Sequence, residues 1–233
     1  MGGMHTLPPT LPPTHLLYLH GFRSSPQSAK ARLMGASVQT LQQQGLDVTW
    51  HCPQLPPSPA RAVAELQALV ADWPRERMAV IGSSLGGFYA AVLAEALGCR
   101  AALINPAVAP ARDLARQIGE QTAFHDPGAS FFFREEFIAQ FAALNPFPIR
   151  VPQRYWALIT QGDEVLDWRE MAAHCDGSEL HLLAGSDHAV SDFDVHLPAL
   201  LNWLGLSCAL NQARPVLGAG LNQLADGSAK PFA

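Results

Sequence analysis

A chain of 233 residues with 48% hydrophobic and 15% charged residues is long enough for one α/β domain with a substantial core, too short for two ordinary domains, and too apolar for general disorder. Its net charge of −5, with no basic cluster, offers no footprint for nucleic acid. The N-terminus lacks a basic segment followed by a long apolar run, nothing approaches a membrane span, and Cys52, Cys99, Cys175 and Cys208 show no C-x-x-C spacing. These features point to a cytoplasmic protein with free thiols, without a zinc site or redox pair.

In chain order, residues 1–14 read as a proline-rich arm. His15 to Leu19 reads as a short buried strand that runs into His20-Gly21-Phe22-Arg23-Ser24-Ser25-Pro26. A loop that follows a strand ending in His-Gly can present a backbone donor to an oxyanion, here the N–H of Phe22, or can be a plain turn. Ser25 and Pro26 have the order of an N-cap and a first turn, opening a helix from Pro26 to Gln44 with Ala29, Leu33, Val38 and Leu41 as its apolar positions and Gly45 at its end. Asp47 to Cys52 follows as a strand, and after the prolines of 53–59 the spacing of Val63, Leu66, Leu69, Val70 and Trp73 predicts a helix over Ala60 to Trp73.

The next stretch, Met78-Ala-Val-Ile-Gly-Ser-Ser-Leu-Gly-Gly87, organises the rest. An apolar run stops at Gly82-Ser83-Ser84-Leu85-Gly86 and the helical pattern Phe88 to Leu97 begins, closed by Gly98. A serine on a sharp turn between strand and helix points its hydroxyl out of the fold, and the first free N–H of the helix, that of Leu85, faces the place where an oxyanion would form. Ala101 to Ile104 is a further strand ending in Asn105-Pro106-Ala107. From Pro110 to Val151 the strand rhythm lapses into a segment holding Phe131, Phe132, Phe133, Phe137 and Phe141. It reads equally as a lid or acyl-binding wall and as a helical excursion whose rings fill the core.

Tyr155 to Thr160 resumes the sheet and leads into Gly162-Asp163-Glu164-Val165-Leu166-Asp167. Asp163, one step past a glycine at the exit of a late strand, is placed to meet a histidine; Glu164, Asp167 and Asp187 are its rivals, with Asp167 equally suited to cap a helix from Trp168 to Cys175. Glu179 to Leu183 is the last strand, Gly185-Ser186-Asp187-His188 the loop after it, and Phe193 to Leu204 the final helix. His188 completes the chain order Ser, Asp, His of an α/β-hydrolase. His20 is suited to supporting the oxyanion loop, and His51, His125, His174, His181 and His196 lack the pairing of a metal site. Residues 207–233 form a weakly patterned tail. Alternating strands and helices predict a mostly parallel sheet covered on both faces, with the site at the carboxyl ends of its strands, in one domain over 15–206 that carries the lid-like insertion 110–151.

His20-Gly21-Phe22 with Ser24-Ser25-Pro26, Ser28 and Lys30, then Gly82 to Tyr89, Leu103 to Ala107, Gly162 to Asp167, and Gly185 with Asp187-His188 together resemble the YqiA-like esterases, a compact branch of the α/β-hydrolases. The resemblance covers most of Leu16 to Leu206, with Ser186 where the family more often has a second glycine. It implies Ser84 as nucleophile, Asp163 as acid, His188 as base, and Phe22 and Leu85 as backbone oxyanion donors. The expected reaction is hydrolysis of a small-molecule acyl ester, with acyl thioesters such as acyl-CoA as a second class, and it needs no cofactor or metal. Arg23 and Lys30 are the candidate cations for coenzyme A phosphates, or else surface charges and structural contacts. An inactive binding protein and an acyltransferase on the same fold are the alternatives.

Overall fold

The computed structural model describes residues 11–124, 126, 128 and 130–207. Six strands form one sheet in the order β2-β1-β3-β4-β7-β8: β1 (His15–Leu19), β2 (Thr49–His51), β3 (Met78–Ser83), β4 (Arg100–Ile104), β7 (Tyr155–Thr160) and β8 (Glu179–Leu183). Every neighbouring pair is parallel. A separate antiparallel hairpin, β5 (Gly119–Thr122) and β6 (Ser130–Phe133), lies in the insertion.

Because side chains alternate along a strand, a sheet covered on both faces needs apolar residues at nearly every position, and two cores result. Leu16, Tyr18, Ala79, Ile81, Trp156 and Leu158 enter one, against α1 (Ala29–Gln43) and α7 (Phe193–Trp203). Leu17, Leu19, Val80, Leu103, Ala157 and Ile159 enter the other. That second core also takes residues from α2 (Pro59–Leu69), α3 (Leu85–Leu97), α5 (Glu136–Leu144) and α6 (Trp168–His174). The short α4 (Pro110–Asp113) begins the insertion. Among the described residues no helix is long and apolar enough to cross a membrane.

Several boundaries differ from the sequence expectation for identifiable reasons. Helix α1 begins at Ala29, not Pro26, because Ser25 to Ser28 closes a turn of its own: Ser28 N–H donates to the Ser25 carbonyl at 3.1 Å and Gln27 N–H to Ser25 Oγ at 3.1 Å. Its buried positions are Ala31, Met34, Val38 and Leu41, while Ala29 and Leu33 face outward. Helix α2 ends at Leu69, before Trp73, whose ring packs on His15 and His51 in the turn before Pro74. Strand β2 is only Thr49–His51, the stretch that pairs with β1. Helix α3 starts at Leu85, three residues before the expected Phe88, because Gly86 and Gly87 are within it. The expected arm is anchored at its end, since Thr14 N–H donates to the Arg77 carbonyl at 2.8 Å and Arg77 Nε to the Pro12 carbonyl at 2.9 Å. The rest of that arm (1–10), the tail from 208 on, and His125 lie outside the described residues.

The insertion is partly core and partly wall. Phe133, Phe137 and Phe141 are buried, with Phe141 edge-on to Phe88 at 5.5 Å and Phe133 edge-on to Phe137 at 5.5 Å. Phe131 instead lines a cavity, and Phe132 is exposed. Helix α5 also docks on the start of α2, where Gln140 Oε1 accepts from Ser58 Oγ and from Ala60 N–H, each at 3.0 Å.

Candidate active site

The strand order reverses direction between β1 and β3, and in open parallel sheets that switch point opens a crevice at the carboxyl ends of the strands. Ser84 stands there, between β3 and α3, with φ 56° and ψ −122°, a conformation that costs an L-residue about 1–3 kcal/mol. Packing and hydrogen bonds around the turn impose it. A Cβ on Gly82 would lie 2.1 Å from the Gly86 carbonyl oxygen, and one on Gly86 would lie 2.0 Å from that of Leu19. No side chain fits at either position, so strand, turn and helix can close on each other. Ser84 N–H donates to the Ile104 carbonyl at 2.9 Å, and the Ser84 carbonyl accepts from Gly87 N–H at 2.9 Å and Ala107 N–H at 3.0 Å. The elbow is thereby tied to the exit of β4.

Ser84, Asp163 and His188, far apart in sequence, form one hydrogen-bonded line. His188 Nε2 lies 3.0 Å from Ser84 Oγ, and His188 Nδ1 lies 2.7 Å from Asp163 Oδ2. A carboxylate only accepts, so Nδ1 carries the proton and Nε2 is free to accept from the serine hydroxyl. The Asp163 side chain is fully buried. Its charge is met by three donors, because Oδ1 also accepts from the N–H groups of Val165 and Leu166 at 2.8 Å each.

The rival carboxylates have other partners. Asp187 accepts from Ser191 N–H at 2.8 Å and Ser191 Oγ at 2.6 Å, and these bonds hold its carboxyl below the usual range, with help from Lys30. Asp167 caps α6 through Arg169 N–H at 2.9 Å. Glu164 Oε2 accepts the backbone N–H of His188 at 3.0 Å, so it holds the loop while Asp163 holds the ring.

Sequence reasoning assigned no role to Asn105, which is fully buried at the end of β4. Its Nδ2 donates to Thr160 Oγ1 at 2.9 Å and to the carbonyls of His188 at 3.1 Å and Asp187 at 3.3 Å. Its Oδ1 accepts Thr160 N–H at 2.9 Å, and Thr160 Oγ1 donates to the Asp187 carbonyl at 3.1 Å. The available signal was an asparagine between an apolar strand and a proline, which also reads as a plain turn, and Asn105 does take the turn-like φ of 41°. Lys30 adds a clamp on the far side, its Nζ donating to the Ala189 carbonyl. Burial lowers the Lys30 pKa to about 8, against the pull of Asp187. Ser186 takes φ 66°, a conformation that favours glycine, and its hydroxyl donates to Asp192 Oδ1.

The two expected oxyanion donors flank the serine. Gly21 lies against it, since a Cβ there would be 3.3 Å from Ser84 Cβ and 3.7 Å from its Oγ, and Phe22 follows Gly21 in the chain. Leu85 begins α3. Among the described residues neither N–H donates to another backbone group. His20, 4% exposed, braces this loop: Leu55 N–H donates to its Nε2 at 3.1 Å and its Nδ1 bonds the Gly21 carbonyl at 3.0 Å. The insertion is fastened to the same loop. Arg23 Nε donates to the Thr122 carbonyl at 2.7 Å, its guanidinium covers the Phe124 ring at 4.4 Å, and Phe22 meets Phe133 edge-on at 5.3 Å.

A cavity of about 700 Å³ opens beside this loop, lined among others by Phe22, Leu55, Pro57, Leu85, Tyr89 and Phe131. Ser84 lies just outside the lining, next to Leu85 and Gly21, which belong to it; Asp163 and His188 are not part of it. Among the described residues no cluster of His, Cys, Asp or Glu is arranged to hold a metal ion. The site can pass a proton from serine to imidazole, hold the imidazolium, and offer two N–H groups to a developing oxyanion.

Residues 15–205 match the profile of the uncharacterised protein family UPF0227, in agreement with the resemblance carried by the motifs. Among solved structures, the chain is similar to mouse alpha/beta hydrolase domain-containing protein 10 at 16% identity, with a TM-score of 0.61 over 85% of this chain and 89% of that one. It is similar to a metagenome-derived lipolytic enzyme of the LipS and LipT pair at 17% identity, with a TM-score of 0.57 over 84% and 95%. It is also similar to Est1E from Butyrivibrio proteoclasticus with ferulic acid bound, at 16% identity and a TM-score of 0.57 over 88% and 90%. At these identities the likeness shows a common fold, that of the α/β-hydrolases.

Proposed function

The chain belongs to the uncharacterised protein family UPF0227, and from that premise we propose that it is a serine hydrolase that cleaves carboxylic esters through an acyl-enzyme. The observation that carries the reading is the unbroken line from Asp163 through His188 to Ser84, on a strained elbow flanked by unengaged backbone donors.

In this reading Ser84 Oγ attacks the ester carbonyl carbon as its proton passes to His188 Nε2, and the carbonyl oxygen becomes an oxyanion held by the N–H groups of Phe22 and Leu85. Collapse breaks the bond to the alcohol oxygen, which takes the proton from His188. Water then gives a proton to His188, attacks the acyl-serine, and the carboxylic acid leaves as Ser84 recovers its hydrogen. Asp163 fixes the tautomer and stabilises the imidazolium. Each oxyanion donor is worth about 3 kcal/mol to the barrier.

The leaving alcohol must lie toward His188, which protonates it, and His188 does not line the cavity, whereas Phe22 and Leu85, which hold the oxyanion, do. The acyl part therefore occupies the cavity, whose walls include four apolar rings and chains at Phe22, Leu55, Leu85 and Phe131. Acyl thioesters fit the same chemistry but rank second. Lys30 and Arg23, the cations nearest the site in sequence, are engaged by the Ala189 and Thr122 carbonyls. The test is hydrolysis of p-nitrophenyl esters and of acyl-CoA by wild type and Ser84→Ala, with acid and alcohol or thiol quantified. Equal release of both products by wild type alone supports the reading; turnover of neither class, or transfer of the acyl group to an added alcohol in preference to water, overturns it.

A further inference from the structure

Resting on the ester-hydrolase reading, a second feature of the cavity narrows the substrate. Leu85 and Tyr89 stand one helical turn apart on α3, and both line it. Tyr89 is 2% exposed, its ring packed edge-on to Phe88 at 5.6 Å and near Phe141 at 6.2 Å. Buried tyrosine hydroxyls usually find a partner. The other two tyrosines do: Tyr155 donates to Glu95 Oε1 at 2.7 Å, and Tyr18 is hydrogen-bonded with Ser83. Among the described residues the Tyr89 hydroxyl has none.

Nor is that hydroxyl sealed in. Among the described residues the fully enclosed side-chain polar atoms without a partner belong to Ser28, Trp156 and Ser178. What little of Tyr89 is exposed therefore includes its oxygen, and the cavity is where it opens. Burial pushes its pKa far up, so the group stays an O–H donor.

We propose that Tyr89 is a specificity-determining residue that donates a hydrogen bond to an oxygen on the acyl group. The preferred substrates are esters of oxygenated acids, with a ketone, ether or hydroxyl oxygen beyond a short hydrocarbon stretch that lies between Phe22, Leu55 and Phe131. Leu85, whose N–H is the oxyanion donor of the proposed reaction, and Tyr89 are about 6 Å apart along the helix axis, which makes an oxygen a few carbons beyond the ester carbonyl the one to test.

The test compares p-nitrophenyl hexanoate with the keto-hexanoate whose ketone is on the fifth carbon, using the full chain and Tyr89→Phe. Wild type should favour the keto ester roughly two- to tenfold in kcat/KM, mainly through KM, and Tyr89→Phe should bring the ratio to about one. No preference in wild type, or a preference that survives in Tyr89→Phe, overturns the proposal. Binding of the two free acids to Ser84→Ala and to Ser84→Ala/Tyr89→Phe reads the same contact without turnover. If wild type hydrolyses neither ester, the hydrolase reading fails, and the binding pair still decides for or against Tyr89: tighter binding of the keto acid that disappears with Tyr89→Phe supports the contact, and equal binding refutes it. If Tyr89→Phe does not fold, Tyr89→Met takes its place in both comparisons with the same two outcomes, and equal affinity of Ser84→Ala for both acids refutes the contact by itself.

Discussion

The turn that carries Ser84 and the loop that carries His188 meet at 3.0 Å, yet they are built differently. The elbow is made almost wholly of consecutive residues. Gly82 and Gly86 let the backbone close, the start of α3 follows directly, and backbone bonds to Ile104 and Ala107 fasten it to the adjacent strand. The His188 loop follows β8, an edge strand with its side chains partly exposed, and is held from outside by Asn105, Thr160, Glu164 and Lys30. One half of the site is therefore set by local steric necessity and the other by side chains that reach across the fold. Remote substitutions should disturb the base far more readily than the nucleophile.

Removing a member of the hydrogen-bonded line is the largest expected effect. Ser84→Ala should lower kcat by about ten-thousandfold or more with an unchanged circular dichroism spectrum, whereas Ser83→Ala should remain active. Asp163→Ala should also cost several orders of magnitude while Asp187→Ala costs less than about tenfold. The reverse order, measured as kcat/KM on one ester, would reassign the acid.

Asn105→Ala separates the two halves. It leaves the Asp187 and His188 carbonyls without their amide donor and should cost about 1–3 kcal/mol of stability in urea titration. Turnover should fall by roughly a hundredfold because His188 is displaced, while the strained serine and its neighbouring donors remain in place. The smallest effect is at Lys30, whose pKa burial lowers to about 8 in the fold from the 10.5 of an exposed lysine. Between those values the unfolded chain binds a proton that the folded chain has released, so this group makes unfolding free energy rise with pH across that window. Lys30→Met should flatten that rise in urea titrations on either side of the interval.

The same contrast explains what the sequence made legible. The elbow, the sheet strands β1, β3, β4, β7 and β8 and the positions of Asp163 and His188 follow from short-range pattern, an apolar run that breaks at glycine and polar residues at strand exits, whereas the β5–β6 hairpin stands where the strand rhythm lapses. The role of Asn105 and the open hydroxyl of Tyr89 depend on which elements pack together, and no local period carries that. The insertion shows the limit in one segment. Helical spacing of Phe133, Phe137 and Phe141 marks a buried face but does not say what buries it. Phe133 ends strand β6 and only Phe137 and Phe141 are on α5, yet all three enter the core of Phe88 and Tyr89, while Phe131, two residues earlier on the same strand, turns to the cavity. The start of α1 was misplaced because Ser25 and Pro26 suit a tight turn as well as a helix start.

The most direct test of the central claim, an activated serine at Ser84, is intact mass after treatment with a small fluorophosphonate on wild type, Ser83→Ala and Ser84→Ala. The account predicts a single adduct on wild type and Ser83→Ala, and none on Ser84→Ala. Folded wild type that stays unmodified, or an adduct that persists in Ser84→Ala, would contradict it.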